Sequence, residues 1–298
     1  MFPEYIPTEA NQLTEETSIA LAKQIKIVPI QTSLTSEPIN TAYVKQGNGG
    51  TPILLIHGFD SSLLEFRRLI PLLAARQETW AVDLLGFGFS DRIPNIPYGA
   101  AAIKTHLHSF WKSYVRQPVI LVGASMGGAA AIDFTLTYPE TVAKLVLIDS
   151  AGLAKQPIVG KFMFSPLDYW ATEFLRNPKV RQNISKAAYY DKSFNSLDAQ
   201  TCAALHLKCD NWNRALIAFT KSGGYGSFAN EIKNLTQQTL IIWGRQDKIL
   251  GTKDAAKFAQ LIPDNKLVWI ENCGHVPHLE ESQLTAREIL NFCEIYIR

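Results

Sequence analysis

Short apolar runs closed by glycine or polar turns alternate along this chain with longer stretches whose apolar residues recur at helical spacing. "PILLIHGF" (52–59), "ETWAVDLLG" (78–86), "PVILVGA" (118–124), "VAKLVLIDSAG" (142–152), "QTLIIWG" (238–244) and "KLVWIE" (266–271) are dominated by aliphatic or aromatic residues. Runs of that kind are the pattern of strands buried on both faces. Between them, residues 63–76, 100–116, 125–139, 252–262 and 279 to the end predict helices, with Pro71 shaping the first. Ahead of these, "KIVPIQTSL" (26–34) and "INTAYVKQG" (39–47) read as an antiparallel pair joined at Ser36-Glu37-Pro38. Strand–helix alternation calls for right-handed crossovers. The expected fold class is therefore α/β, a mostly parallel, doubly wound sheet covered on both faces.

The alternation lapses between residues 153 and 235, where helical stretches carry Phe162, Phe164, Tyr169, Trp170, Phe174, Tyr189, Tyr190, Trp212 and Phe219. A helical block inserted between two strands predicts a cap, or lid, over the carboxyl edge of the sheet, where open α/β sheets bind ligands. The predicted organisation is an N-terminal extension (1–24), a core (25–152 and 236–298) and the cap (153–235). The aromatic insertion predicts an apolar pocket beneath it and a small-molecule substrate of apolar acyl or carbonyl character.

The bulk numbers narrow the partners. The 298 residues are 47% hydrophobic and 19% charged with a formal net charge of +2, so no nucleic acid or anionic membrane is expected as an obligatory partner. Glu4, Glu9, Glu15 and Glu16 precede any apolar run, unlike the basic start of a secretory signal. No segment approaches the roughly 18 uninterrupted apolar residues of a spanning helix. A cytoplasmic protein is the expectation, with Cys202, Cys209, Cys273 and Cys293 as reduced packing thiols rather than disulfides or metal ligands.

The chemistry gathers around "VILVGASMGGAAA" (119–131), where an apolar strand breaks into glycines around Ser125 and resumes as an alanine-rich helix. Gly123 and Gly127 remove the Cβ atoms that a sharp strand-to-helix turn would bring into collision, so that the hydroxyl stands exposed at the sheet's end. A serine nucleophile needs a base, and the base needs an orienting carboxylate. His275, in the loop after the last strand, is the candidate base; His106, His108, His206 and His278 read as packing or surface residues. The acid should precede the histidine in the chain. Asp247, past the end of "QTLIIWG", is preferred, and Asp149 at the end of "KLVLIDS" is the alternative. Developing oxyanion charge requires preplaced N–H donors: those of Met126 and of Phe59, with Gly58 bending the loop inward and His57 anchoring it. No metal and no organic cofactor are called for.

Those residues resemble the α/β-hydrolase family. The resemblance runs from about residue 25 to the end and rests on "LLIHGF", "DLLGFGFSD", "GASMGG", "LVLIDSAGL", "WGRQDKIL" and "CGHVPHLEE", all in the family's order. It implies Ser125 as nucleophile, Asp247 as orienting acid, His275 as base and Phe59 and Met126 as oxyanion donors. A serine at the turn is unlike the dehalogenases and epoxide hydrolases, which place aspartate there. Among serine members the chain is similar to carbon–carbon bond hydrolases of ring-fission products, although Val276 stands where many of those carry tryptophan. It is also similar to monoacylglycerol lipases and small esterases. The resemblance implies a serine hydrolase acting on an ester or related carbonyl compound, with carbon–carbon hydrolysis or ligand binding without turnover as the alternatives. "GFGFS" (86–90) lacks the third glycine of a nucleotide-binding loop.

Overall fold

The computed structural model of the protein describes residues 1–154 and 166–294. Its strands are β1 (Lys26–Ile30), β2 (Ile39–Gln46), β3 (Ile53–Ile56), β4 (Thr79–Val82), β5 (Val119–Ala124), β6 (Val142–Ile148), β7 (Thr239–Gly244) and β8 (Asn265–Ile270). They form one sheet in the order β1-β2-β4-β3-β5-β6-β7-β8. As expected, β1 pairs antiparallel with β2; β2 is also antiparallel to β4, and every later pairing is parallel.

The helices in chain order are α1 (Glu16–Gln24), α2 (Ile70–Ala74), α3 (Ala100–Phe110), α4 (Met126–Thr137), α5 (Leu167–Arg176), α6 (Pro178–Ala188), α7 (Leu197–Ala204), α8 (Trp212–Lys221), α9 (Lys253–Leu261), α10 (Pro277–Glu280) and α11 (Ser282–Glu294). Three differ from the expected spans. The helix expected over 63–76 divides into a 3-10 turn (Leu63–Phe66) and α2, with Pro71 in the first turn of α2; proline is accepted there because its missing N–H would have no partner anyway. The stretch 100–116 ends in a π turn (Trp111–Val115) closed by Arg116 at φ 62°. The last helix breaks at Glu281 into α10 and α11.

Alternate strand residues feed two separate cores, as the period-two geometry of strands dictates. Leu54, Ile56, Leu121, Leu145, Leu147 and Trp243 pack with Leu107 and Phe110 of α3, Phe134 of α4 and Phe258 of α9. Their neighbours Leu55, Ile120, Val122, Val146 and Ile242 pack on the other face with Leu21 of α1, Leu73 of α2 and Ile289 of α11. Each such side chain removed from water contributes roughly 1.5–3 kcal/mol. The N-terminal residues join this second core: Ile6, Ala10, Leu13 and Leu21 are all buried in it. Among the described residues, no helix is long and apolar enough to cross a membrane. Cys202, Cys209 and Cys273 are free thiols.

The described part of the insertion, α5 to α8, stands between β6 and β7. Phe162 and Phe164, counted among its expected aromatics, lie outside the described residues.

Candidate active site

Ser125 occupies the turn between β5 and α4 with φ 51° and ψ −120°, a left-handed conformation that costs a non-glycine residue strain. The flanking glycines are demanded by close backbone approach. A Cβ on Gly123 would sit 2.3 Å from the Gly127 carbonyl oxygen, and one on Gly127 would sit 2.2 Å from the Ile56 carbonyl oxygen at the end of β3. Strand β3, the turn and the start of α4 are thus pressed together, and the hydroxyl emerges at the carboxyl edge of the sheet.

The loops after β7 and β8 bring Asp247 and His275 to that edge. His275 Nε2 lies 3.0 Å from Ser125 Oγ, and His275 Nδ1 lies 3.0 Å from Asp247 Oδ2. Asp247 Oδ1 accepts the N–H groups of Ile249 at 2.7 Å and Leu250 at 3.2 Å. Burial works against charge on Asp247, but the His275 hydrogen bond and those N–H donors prevail and hold its carboxyl below the ordinary aspartate range. An acid that stays ionised fixes Nδ1 as the protonated nitrogen, leaving Nε2 free to take the serine proton.

The loop after β3 reaches the serine from the other side. A Cβ on Gly58 would lie 3.3 Å from Ser125 Cβ, so glycine permits the approach. Its N–H donates to Glu65 Oε2 at 3.1 Å, and its carbonyl accepts from His57 Nδ1 at 2.8 Å. His57 Nε2 in turn accepts the Leu84 N–H at 3.2 Å. Burial pushes His57 down to about 4, so it is a neutral anchor and not a proton carrier. Burial also opposes charge on Glu65, yet His278, 3.1 Å from Oε1, holds it down to about 2. Among the described residues, neither Phe59 N–H nor Met126 N–H donates to another protein group; Met126 follows Ser125 in the chain, and Phe59 lines the same cavity as Ser125.

Asp60 follows Phe59 with φ 48° and is buried. Its Oδ2 accepts Arg181 Nη1 at 2.7 Å; its Oδ1 accepts Trp212 Nε1 at 2.8 Å and faces His206 Nε2 at 3.1 Å. Burial raises the Asp60 carboxyl, but His206, Arg181 and Trp212 outweigh it and keep it ionised. All three partners belong to the insertion. The insertion also reaches the histidine loop: the His275 N–H donates to the Ala188 carbonyl at 2.7 Å, and Glu280 accepts from Tyr190, Asp191 and Gly274 at 3.0, 2.6 and 2.8 Å.

A cavity of about 280 Å³ opens over Ser125 and His275, walled by Phe59, Ile184, Tyr189, Ile249 and Val276 among others. A second hollow of about 250 Å³, between α5 and α8, has Phe59 at its edge and Leu175, Leu216 and Ile217 in its walls. Two larger hollows, about 570 and 740 Å³, contain neither Ser125 nor His275, so chemistry and not size locates the site. Asp149, Asp247 and His275 offer ligand-type atoms within 4.8 Å of one another; both imidazole nitrogens are already engaged by Asp247 and Ser125, so a cation there would compete with the relay.

The five residues expected from the sequence all converge on this edge. Glu65, Asp60 and the approach of Asp149 to Asp247 were not anticipated. The signal for Asp60 was an acid set directly after the apolar "LLIHGF"; the other two are long-range contacts with no local mark. The "GFGFS" loop folds around an internal carboxylate: Phe89 N–H donates to Asp83 at 2.6 Å, and burial pushes Asp83 up to about 7.

Comparison with known proteins agrees with the fold. The sequence pattern of the alpha/beta hydrolase fold matches residues 51–282. The alpha/beta hydrolase domain-containing protein VTE7 of Arabidopsis thaliana is 33% identical over 98% of this chain and 90% of its own length. The 2-hydroxy-6-oxo-6-(2'-aminophenyl)hexa-2,4-dienoic acid hydrolase of Metapseudomonas resinovorans is 29% identical over 95% of each chain. Among solved structures, a serine hydrolase involved in carbazole degradation superposes with a TM-score of 0.75 at 28% identity, over 91% of this chain and 99% of that one. With the fold, the glycine-flanked turn and this extent of similarity together, the chain belongs to the α/β hydrolase fold family.

Proposed function

We propose that the protein is a serine hydrolase of an apolar ester or related carbonyl compound. The observation that carries the reading is the continuous relay from Ser125 through His275 to Asp247, with both links at 3.0 Å. Ser125 attacks the carbonyl as His275 takes its proton, and the oxyanion rests on the Phe59 and Met126 amides. His275 protonates the leaving group, then activates the water that releases the acyl-enzyme. Residues 153–235 act as a cap, and the hollow beside Phe59 receives the apolar arm of the substrate.

The test is turnover of 4-nitrophenyl esters of graded acyl length by the wild type and Ser125→Ala. The variant should fold and lose at least about 10⁴-fold in kcat; near wild-type turnover would remove Ser125 from the mechanism. A second reading, hydrolysis of a carbon–carbon bond in a dienoate, is favoured by the relative from Metapseudomonas resinovorans, similar along 95% of both chains. Assaying one ring-fission dienoate beside the esters separates the two, because the preferred class shows the higher kcat/KM.

A further inference from the structure

Asp149 ends β6 at φ 39° and has no exposed surface. The acyl transfer described above gives it no task, yet its carboxyl lies within 4.8 Å of both Asp247 and His275. Its two oxygens share one backbone donor, Gly244 N–H, at 3.1 and 3.3 Å. Asp247 is far better supplied, with two N–H donors and the imidazole. Two adjacent buried carboxyls cannot both ionise at ordinary cost, and the shared proton settles on the one with fewer donors.

We propose that Asp149 is a positioning residue for the triad acid: its carboxyl keeps the proton of the pair and donates it to Asp247, holding that carboxylate from behind while it faces His275. The inference rests on reading Asp247 as the orienting acid. The surroundings favour it. Burial, then the neighbouring Asp247, pushes the Asp149 carboxyl well above its ordinary range. The other groups facing it are Glu280 on α10 and the Cys273 thiol, itself pushed up by burial. Neither supplies a positive charge that would draw the proton off. A hydrogen bond into Asp247 withdraws charge from the carboxylate, weakening its pull on a protonated His275.

Infrared spectroscopy of the substrate-free protein at neutral pH tests this directly. The difference spectrum between wild type and Asp149→Asn should show the C=O stretch of a buried carboxylic acid, because Asp83, pushed up to about 7, contributes to both and cancels; Asp247→Asn should retain the Asp149 band. An Asp149→Asn spectrum that matches the wild type across the carboxylic acid C=O region overturns the proposal. In kinetics, Asp149→Asn keeps an N–H donor toward Asp247 and should hold kcat/KM within about threefold with its acid limb in place. Asp149→Leu removes the donor, which should lower kcat by about tenfold or more, as losing a supporting partner does, and move the acid limb upward. An Asp149→Asn loss as deep as that of Asp247→Asn would make Asp149 the triad acid and overturn the proposal. So would an unmoved acid limb in folded Asp149→Leu. The infrared arm requires neither turnover nor the leucine variant. If Ser125→Ala stayed active, the acyl-transfer reading would fall while the band still decided where the proton resides.

Discussion

At the scale of single residues, the site depends on atoms that are missing as much as on those present. Gly127 has no room for a side chain, because a Cβ there would lie 2.2 and 2.5 Å from the carbonyl oxygens of Ile56 and His57. Gly127→Ala must therefore push the start of α4 away from β3, taking the Met126 amide and the Ser125 hydroxyl with it. We expect a loss of about 2–3 kcal/mol in denaturant unfolding, the size of an overpacked core position, with a larger loss of turnover than of substrate binding. A stable, fully active Gly127→Ala would show that the turn relaxes freely. The need for small residues at 123 and 127 was legible in the sequence; the carbonyls they would strike were not, since those belong to another strand.

At the scale of elements, the N-terminal segment is bolted to both layers. Arg68 pairs with Glu15 at 2.7 and 2.9 Å and also donates to the Leu279 carbonyl at 2.9 Å in α10. Asp198 of α7 accepts from Thr14, Glu15 and Ser18 at 2.6, 2.8 and 2.6 Å. Burial opposes charge on Glu15, but Arg68 and Thr17 bring its carboxyl from 4.5 down to about 2. A folded value below the unfolded one means that the pair stabilises fully above 4.5 and fades as pH falls toward 2. Glu15→Gln should thus cost about 1 kcal/mol at pH 7, allowing for partial exposure, and the deficit should shrink in melts at pH 3. A deficit independent of pH would assign the effect to packing alone. Residues 1–24 read in the sequence as an extension because their partners are 53 and more than 180 positions away.

At the scale of the whole molecule, the insertion and the sheet meet on the loops that carry the candidate site. Asp60 is the junction: it follows Phe59, the proposed oxyanion donor, and is gripped by Arg181, Trp212 and His206 from the insertion. Arg181→Leu leaves a buried carboxylate short of its cation, which the loop resolves by moving. A lower kcat, by about tenfold, should follow from the misplaced Phe59 amide, less than the loss of a whole oxyanion donor. A rise confined to KM would instead make Arg181 a substrate contact and nothing more. The parallel sheet was readable from strand–helix alternation, whereas the side of the sheet on which α5 to α8 sit, and what they grip, was not.

The sequence by itself determined the α/β class and the order of the strands along the chain, and it marked Ser125, Asp247 and His275 as candidates with Asp149 as the alternative acid, because hydrophobic period and strand-end position are local properties. Only the tertiary structure decided that the hydroxyl and the two ring nitrogens fall into one 3.0 Å relay, that Asp149 comes close to Asp247 and that Asp60 ties the insertion to the loop after β3. Those are distances between residues tens to hundreds of positions apart. Chain closure through the folded sheet sets them, and no window of neighbouring residues contains them.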